Sequence, residues 1–125
     1  MSFERRNWEL FVEDMLRAIN RIQERSAGRS FEEFADDQDS LEIVAWNFQV
    51  LGEASTHIPA DVVDTHPELP WRDMRAMRNQ VIHGYFRLNP KVLWDTATVE
   101  VPTLISLLQK LLTRRDDDND KRPSM

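Results

Sequence analysis

The 125-residue sequence contains no cysteine. That absence removes disulfides and thiolate metal sites from the means by which the fold can be held together. Only three glycines are present, against four Trp, six Phe and a good supply of Leu, Ala, Glu and Arg, a balance that favours helices over strands. Long apolar runs are missing as well. Hydrophobic residues make up 41% of the chain, but charge interrupts every stretch, and none approaches the roughly 20 apolar residues that cross a bilayer. The opening Met-Ser-Phe-Glu-Arg-Arg has no apolar signal-peptide core, so a cytosolic location is expected. Positive charge is in deficit, with a formal net charge of −6. An acidic total disfavours non-specific nucleic-acid binding, and any contact with RNA must rest on a local arginine cluster. The length fits one domain with one core.

What is present is helical periodicity. Trp8, Phe11, Val12, Met15, Ile19 and Ile22 recur at helix spacing from Asn7 to Ser26, with Glu9, Glu13, Arg17 and Glu24 between them. Ala27-Gly28 ends this helix. Ser30 with Glu33 reads as a capping box for a short second helix. A third runs from about Ser40 to Ile58 on Leu41, Val44, Ala45, Phe48, Leu51 and Ala54, and Pro59 stops it. The connector to Pro70 has room for one turn around Asp61 to Thr65. A fourth helix starts near Trp71 and ends at Gly84. Asn89-Pro90 caps a last helix through about Leu112, which Pro102 should bend. The expected fold is all-α, an antiparallel bundle of four to five helices. Residues 1–113 form this domain, and 114–125 read as a charged tail expected to be disordered.

The segment from Trp71 to Phe86 carries the most chemistry. At about 100° per residue, Met74, Met77 and Val81 share one face and Arg72, Arg75, Asn79 and His83 the opposite one. Arg78 falls beside Trp71 and Ile82 on the apolar margin, where a guanidinium needs a partner. His83 sits just before the helix-ending Gly84, and Tyr85 follows the break. Arg72, Arg75 and Arg87 add local positive charge suited to phosphate. The plainer reading of each is structural: a His on the helix dipole, an Arg paired with Glu53, a packed Tyr.

The order Arg78, four residues, His83, one residue, Tyr85 resembles the motif of the HepT-like branch of the HEPN superfamily. Asn79 fits the polar position after the Arg. Gly52-Glu53-Ala54, Pro70-Trp71 and Val92-Leu93-Trp94 agree with it, so that the likeness runs from about Phe3 to Leu112. The resemblance implies a metal-independent, homodimeric endoribonuclease toxin of a type VII-like toxin–antitoxin system. It implies no cofactor, and an RNA substrate such as tRNA or mRNA. Its partner would be a minimal nucleotidyltransferase (MNT) antitoxin that attaches AMP to Tyr85. On this view Arg78 and His83 are catalytic, Asn79, Tyr85 and Glu53 support them, and Arg72, Arg75 and Arg87 bind RNA.

His83 is the plausible proton shuttle beside the arginines, and Arg78 would neutralise the oxyanion charge. Five residues separate them, roughly 140° around a straight helix. Either the helix end unwinds, or two chains share the site; the second fits a two-fold dimer and is preferred. His57 and His66, with Asp61 and Asp64 nearby, match no common metal spacing and read as solvated. For Glu53 a buried ion pair with an Arg is preferred over a role in orienting Arg78. The Met74/Met77 stripe reads as core or dimer interface. A function from another class is a non-catalytic helical dimer that serves as a partner- or nucleotide-binding subunit of a nucleotidyltransferase complex.

Overall fold

A computed structural model describes residues 8–82 and 89–120, with side chains described at 8–78 and 89–113. The elements are α1 (Trp8–Ser26), α2 (Phe31–Ala35), α3 (Gln38–Ser55), α4 (Ala60–Thr65), α5 (Trp71–Ile82), α6 (Pro90–Asp95), a π-helical turn (Thr96–Glu100) and α7 (Val101–Asp120). The last three are contiguous, so the described residues make six helical rods and no strand. The all-α expectation holds, with short α2 and α4 added to four long rods.

Each boundary has a chemical cause. Gly28 takes φ +74°, the left-handed region open to glycine, and turns the chain after α1. Ser30 Oγ accepts from Glu33 N (3.1 Å) while Glu33 Oε1 accepts from Ser30 N (2.9 Å), the capping box read from sequence. The start of α3 lies two residues earlier than Ser40. Asp37 is its N-cap, accepting from Ser40 N and Ser40 Oγ at 3.2 and 2.7 Å. Arg29 ties this corner together by donating to Asp37 Oδ2 (3.1 Å) and Ser40 Oγ (2.9 Å). At its other end α3 stops at Ser55, short of Ile58, and Pro59 opens α4 instead of closing α3.

Asn89 Oδ1 accepts from Val92 N (3.2 Å), with Pro90 in the first turn of α6. Where the sequence predicts a bend at Pro102, the rod widens into the π turn just before it. Pro102 donates no N–H, and its ring crowds the carbonyl one turn back. Thr96 and Thr98 hydroxyls also donate back to Val92 O and Trp94 O, a pattern that distorts helices. The rod then runs to Asp120, beyond the Leu112 at which apolar periodicity ends.

The core gathers Val12, Met15, Ile19 and Ile22 of α1, Val44, Phe48 and Leu51 of α3, Met74 of α5, and Leu93, Leu108 and Leu111 of the last rod. Helix α3 is central: it packs along α1 on one side and α5 on the other. Met74 and Met77 are both buried and belong to this core. Among the described residues no helix is long and apolar enough to cross a membrane.

Candidate functional site

The approach of α3 to α5 begins at Gly52. A Cβ built there would lie 2.7 Å from Arg78 N, 2.9 Å from Arg78 Cβ and 2.9 Å from Met74 O. Only a residue without a side chain lets the two backbones come this close. The consequence falls on the neighbours. Glu53, next after Gly52, reaches across to α5, and its Oε2 lies 2.9 Å from Arg78 Nη1.

The other carboxylate oxygen of Glu53 lies 3.4 Å from His57 Nε2, four residues on in the turn that follows α3. His57 in turn stacks on Phe11 of α1, ring centroids 4.6 Å apart and planes 14° from parallel. A continuous series therefore links three helices: Phe11 (α1), His57 in the turn after α3, Glu53 (α3) and Arg78 (α5). The pair is not buried, because the side chains of Arg78 and Glu53 are 39% and 52% exposed. That corrects the expectation of a buried ion pair. The helices meet at their backbones, and the charged ends project past the contact into solvent. Such a pair contributes little to stability, but it fixes where the guanidinium stands.

The remaining sequence-predicted residues divide clearly. Arg72 is exposed at the start of α5, and Arg75 is half-buried. Arg75 Nε is fully covered and has no hydrogen-bond partner among the described residues. Arg72 and Arg78 lie roughly 120° apart around α5, so they do not converge on one point. Asn79 is described by backbone alone, within α5. His83, Tyr85 and Arg87 lie outside the described residues.

His57 is exposed, as its reading as a solvated residue expects, and it also pairs with Glu53 and packs on Phe11, contacts that no sequence pattern announces. His66 is also placed: its Nδ1 lies 2.9 Å from Val62 O, and its carbonyl accepts from Trp71 Nε1 at 2.9 Å, a structural role that anchors α5. Among the described residues no three His, Asp or Glu gather in a way that could hold a metal ion.

Set beside known proteins, residues 15–111 match the family model described as "Ribonuclease HepT-like". A protein of Thermococcus cleftensis named "Probable ribonuclease HepT" is 37% identical over 107 residues, covering 86% of this chain and 97% of the relative. One of Methanocaldococcus jannaschii named "Putative RNase MJ0127" is 29% identical over 102 residues, 82% of this chain and 84% of the relative. A third, from Caldanaerobacter subterraneus and named "Putative RNase TTE0752", is 29% identical over 104 residues, 83% of this chain and 93% of the relative. No solved structure matches.

Proposed function

The chain belongs to the Ribonuclease HepT-like family of the HEPN superfamily, and from that premise we propose that it is a metal-independent endoribonuclease whose reacting groups are Arg78 and His83. In the proposed reaction His83 takes the proton of a ribose 2′-hydroxyl, and the freed oxygen attacks the adjacent phosphorus. The P–O5′ bond breaks, a proton is returned to the departing 5′-oxygen, and a 2′,3′-cyclic phosphate remains. A histidine suits both transfers because its ordinary pKa lies near neutrality. Arg78 meets the negative charge that builds on the phosphorane oxygens, the kind of preset electrostatics that usually contributes most.

The observation that carries this reading is the Glu53–Arg78 contact at 2.9 Å. It holds a half-exposed guanidinium in place without covering it, which is what a phosphate-binding arginine requires. Glu53 is then a positioning residue for Arg78, with Asn79 and Tyr85 supporting the substrate and Arg72, Arg75 and Arg87 contributing positive charge along the RNA. Two chains related by a two-fold axis share each site, so that the Arg of one works with the His of the other.

The biological setting we propose is a toxin held in check by a minimal nucleotidyltransferase antitoxin that transfers AMP to Tyr85. The added phosphate would occupy the arginines that otherwise bind RNA. Inducible expression with and without such a partner tests this. Wild type alone should arrest growth, His83→Ala should not, and co-expressed wild type should gain one AMP mass that Tyr85→Phe lacks. Equal toxicity of His83→Ala, or an AMP adduct that persists in Tyr85→Phe, contradicts the assignment.

A further inference from the structure

Beside the Glu53–Arg78 contact, an open cleft of about 250 Å³ runs between α1 and α3. From α1 it takes Phe11 and Asp14; from α3 it takes Trp46, Gln49, Val50, Glu53 and Ala54, with His57 from the turn that follows. From Trp46 to His57 these residues recur at intervals of three and four, so they form one stripe that runs down α3 and into the turn after it. Trp46 stands at one end and the Glu53–His57 pair at the other. Trp46 is the conspicuous member: a tryptophan 61% exposed on the surface of a small acidic protein.

The polar groups of the cleft are already committed, with one exception. Glu53 spends one oxygen on Arg78 and the other on His57, and Asp14 is paired with Arg17. Gln49 is half-buried, and among the described residues nothing bonds its side-chain amide, which offers both donors and an acceptor. Without a free cation, the cleft is a poor place for phosphate. It offers aromatic surface, an aliphatic floor from Val50 and Ala54, and one uncommitted amide. That is the chemistry that receives an unstacked base and reads its edge.

We propose that this cleft binds an unpaired nucleobase of the RNA, flanking the phosphate held at Arg78, with the base stacked on Trp46 and its edge facing Gln49. The inference rests on the ribonuclease reading above, because it takes its register from Arg78. It assigns the enzyme a preference for single-stranded RNA. A paired base cannot leave its stack to enter the cleft without the added cost of unpairing.

The test is binding of a short, unstructured oligoribonucleotide to full-length His83→Ala protein, with and without Trp46→Ala. An abasic nucleotide is moved one position at a time along the oligonucleotide. Trp46→Ala should weaken binding about tenfold, the lower end of what a stacked base contributes, and Trp46→Phe should restore most of it. One abasic position should weaken binding to the same degree and have no further effect in Trp46→Ala. Unchanged affinity in Trp46→Ala, abasic effects that simply add to it, or no oligonucleotide binding at all overturns the proposal. A smaller sedimenting species in Trp46→Ala also overturns it, since a second copy of the chain then covers the cleft. Failure of the ribonuclease reading shows separately, as a wild-type chain that binds the oligonucleotide and leaves it uncut.

Discussion

Glu53 shares its carboxylate between the Arg78 guanidinium and the His57 ring, and both partners are partly open to water. Stability and activity should therefore respond differently when it is changed. Glu53→Gln keeps the size and loses the charge. Its thermal midpoint should move by no more than a few degrees, because an exposed pair contributes at most about 1 kcal/mol. RNA cleavage should fall on the order of tenfold to a hundredfold, since a small displacement of a reacting group is costly to rate. Melting curves alongside single-turnover cleavage check this. A large stability loss with intact cleavage would make the pair purely structural.

Part of this was legible in the residues themselves. Arg78 stands out because helix phase puts it on the apolar margin, where it must find a partner, and Glu53 is the nearest acid on an otherwise apolar face. That the pair is exposed was not legible, since it depends on how far the two side chains project beyond the Gly52 contact. His57 is exposed as expected, but its contacts were not legible for a related reason. Its stacking partner, Phe11, belongs to another helix, and no local pattern announces a contact across helices.

At the scale of elements, the approach of α3 to α5 rests on Gly52. Gly52→Ala places a methyl group against the backbone of Arg78 and Met74, and neither backbone can yield as a side-chain tip would. The expected cost is about 1–3 kcal/mol, seen as a midpoint several degrees lower. Cleavage should fall with it, because the displaced backbone carries Arg78. A Gly52→Ala protein as stable and active as wild type would mean that the two helices are not held this closely.

The caps of α2 and α3 give a pH dependence. The Ser30 backbone and side chain hold the Glu33 carboxyl below its ordinary value. Hydrogen bonds from the Ser40 side chain and backbone, with help from Arg29, do the same for Asp37. A carboxyl lowered by folding stabilises the fold fully above its ordinary range and loses that contribution as pH falls through the lowered value. The stability advantage of wild type over Ser40→Ala should thus be constant near neutrality and shrink below about pH 4. Urea unfolding across that range checks the sign; an advantage that grows on acidification contradicts it. The capping box of α2 was plain in the sequence because capping is local, whereas the Asp37 cap of α3 was not, because Asp36, Asp39 and Ser40 beside it are equally good cap residues. The π turn was not, because it takes Pro102 and the threonine hydroxyls acting together to produce it.

At the scale of the whole molecule, the spacing of Arg78 and His83 underlies the proposal that two chains share each site. Two inactive variants, Arg78→Ala and His83→Ala, should then complement each other when co-expressed. In a mixed dimer one site draws both intact groups and the other draws both altered ones, so each mixed dimer regains up to half the wild-type activity and a randomly paired mixture up to about a quarter. If each chain carried a complete site, the mixture would stay inactive. The all-α bundle could be read from composition and periodicity, since nearly every apolar residue assigned to a helix face lies in the core. The proposed two-chain site rests on the Arg78–His83 spacing alone, and the surface that one chain would present to another is left to the complementation experiment.

The most direct test of the central claim is cleavage of single-stranded RNA by the purified chain in EDTA, with product ends identified. Wild type should cut and leave 2′,3′-cyclic phosphates. Arg78→Ala should lose about 10²- to 10³-fold and His83→Ala at least about 10²-fold. Cleavage by His83→Ala at the wild-type rate, or abolition of wild-type cleavage by the chelator, would contradict it.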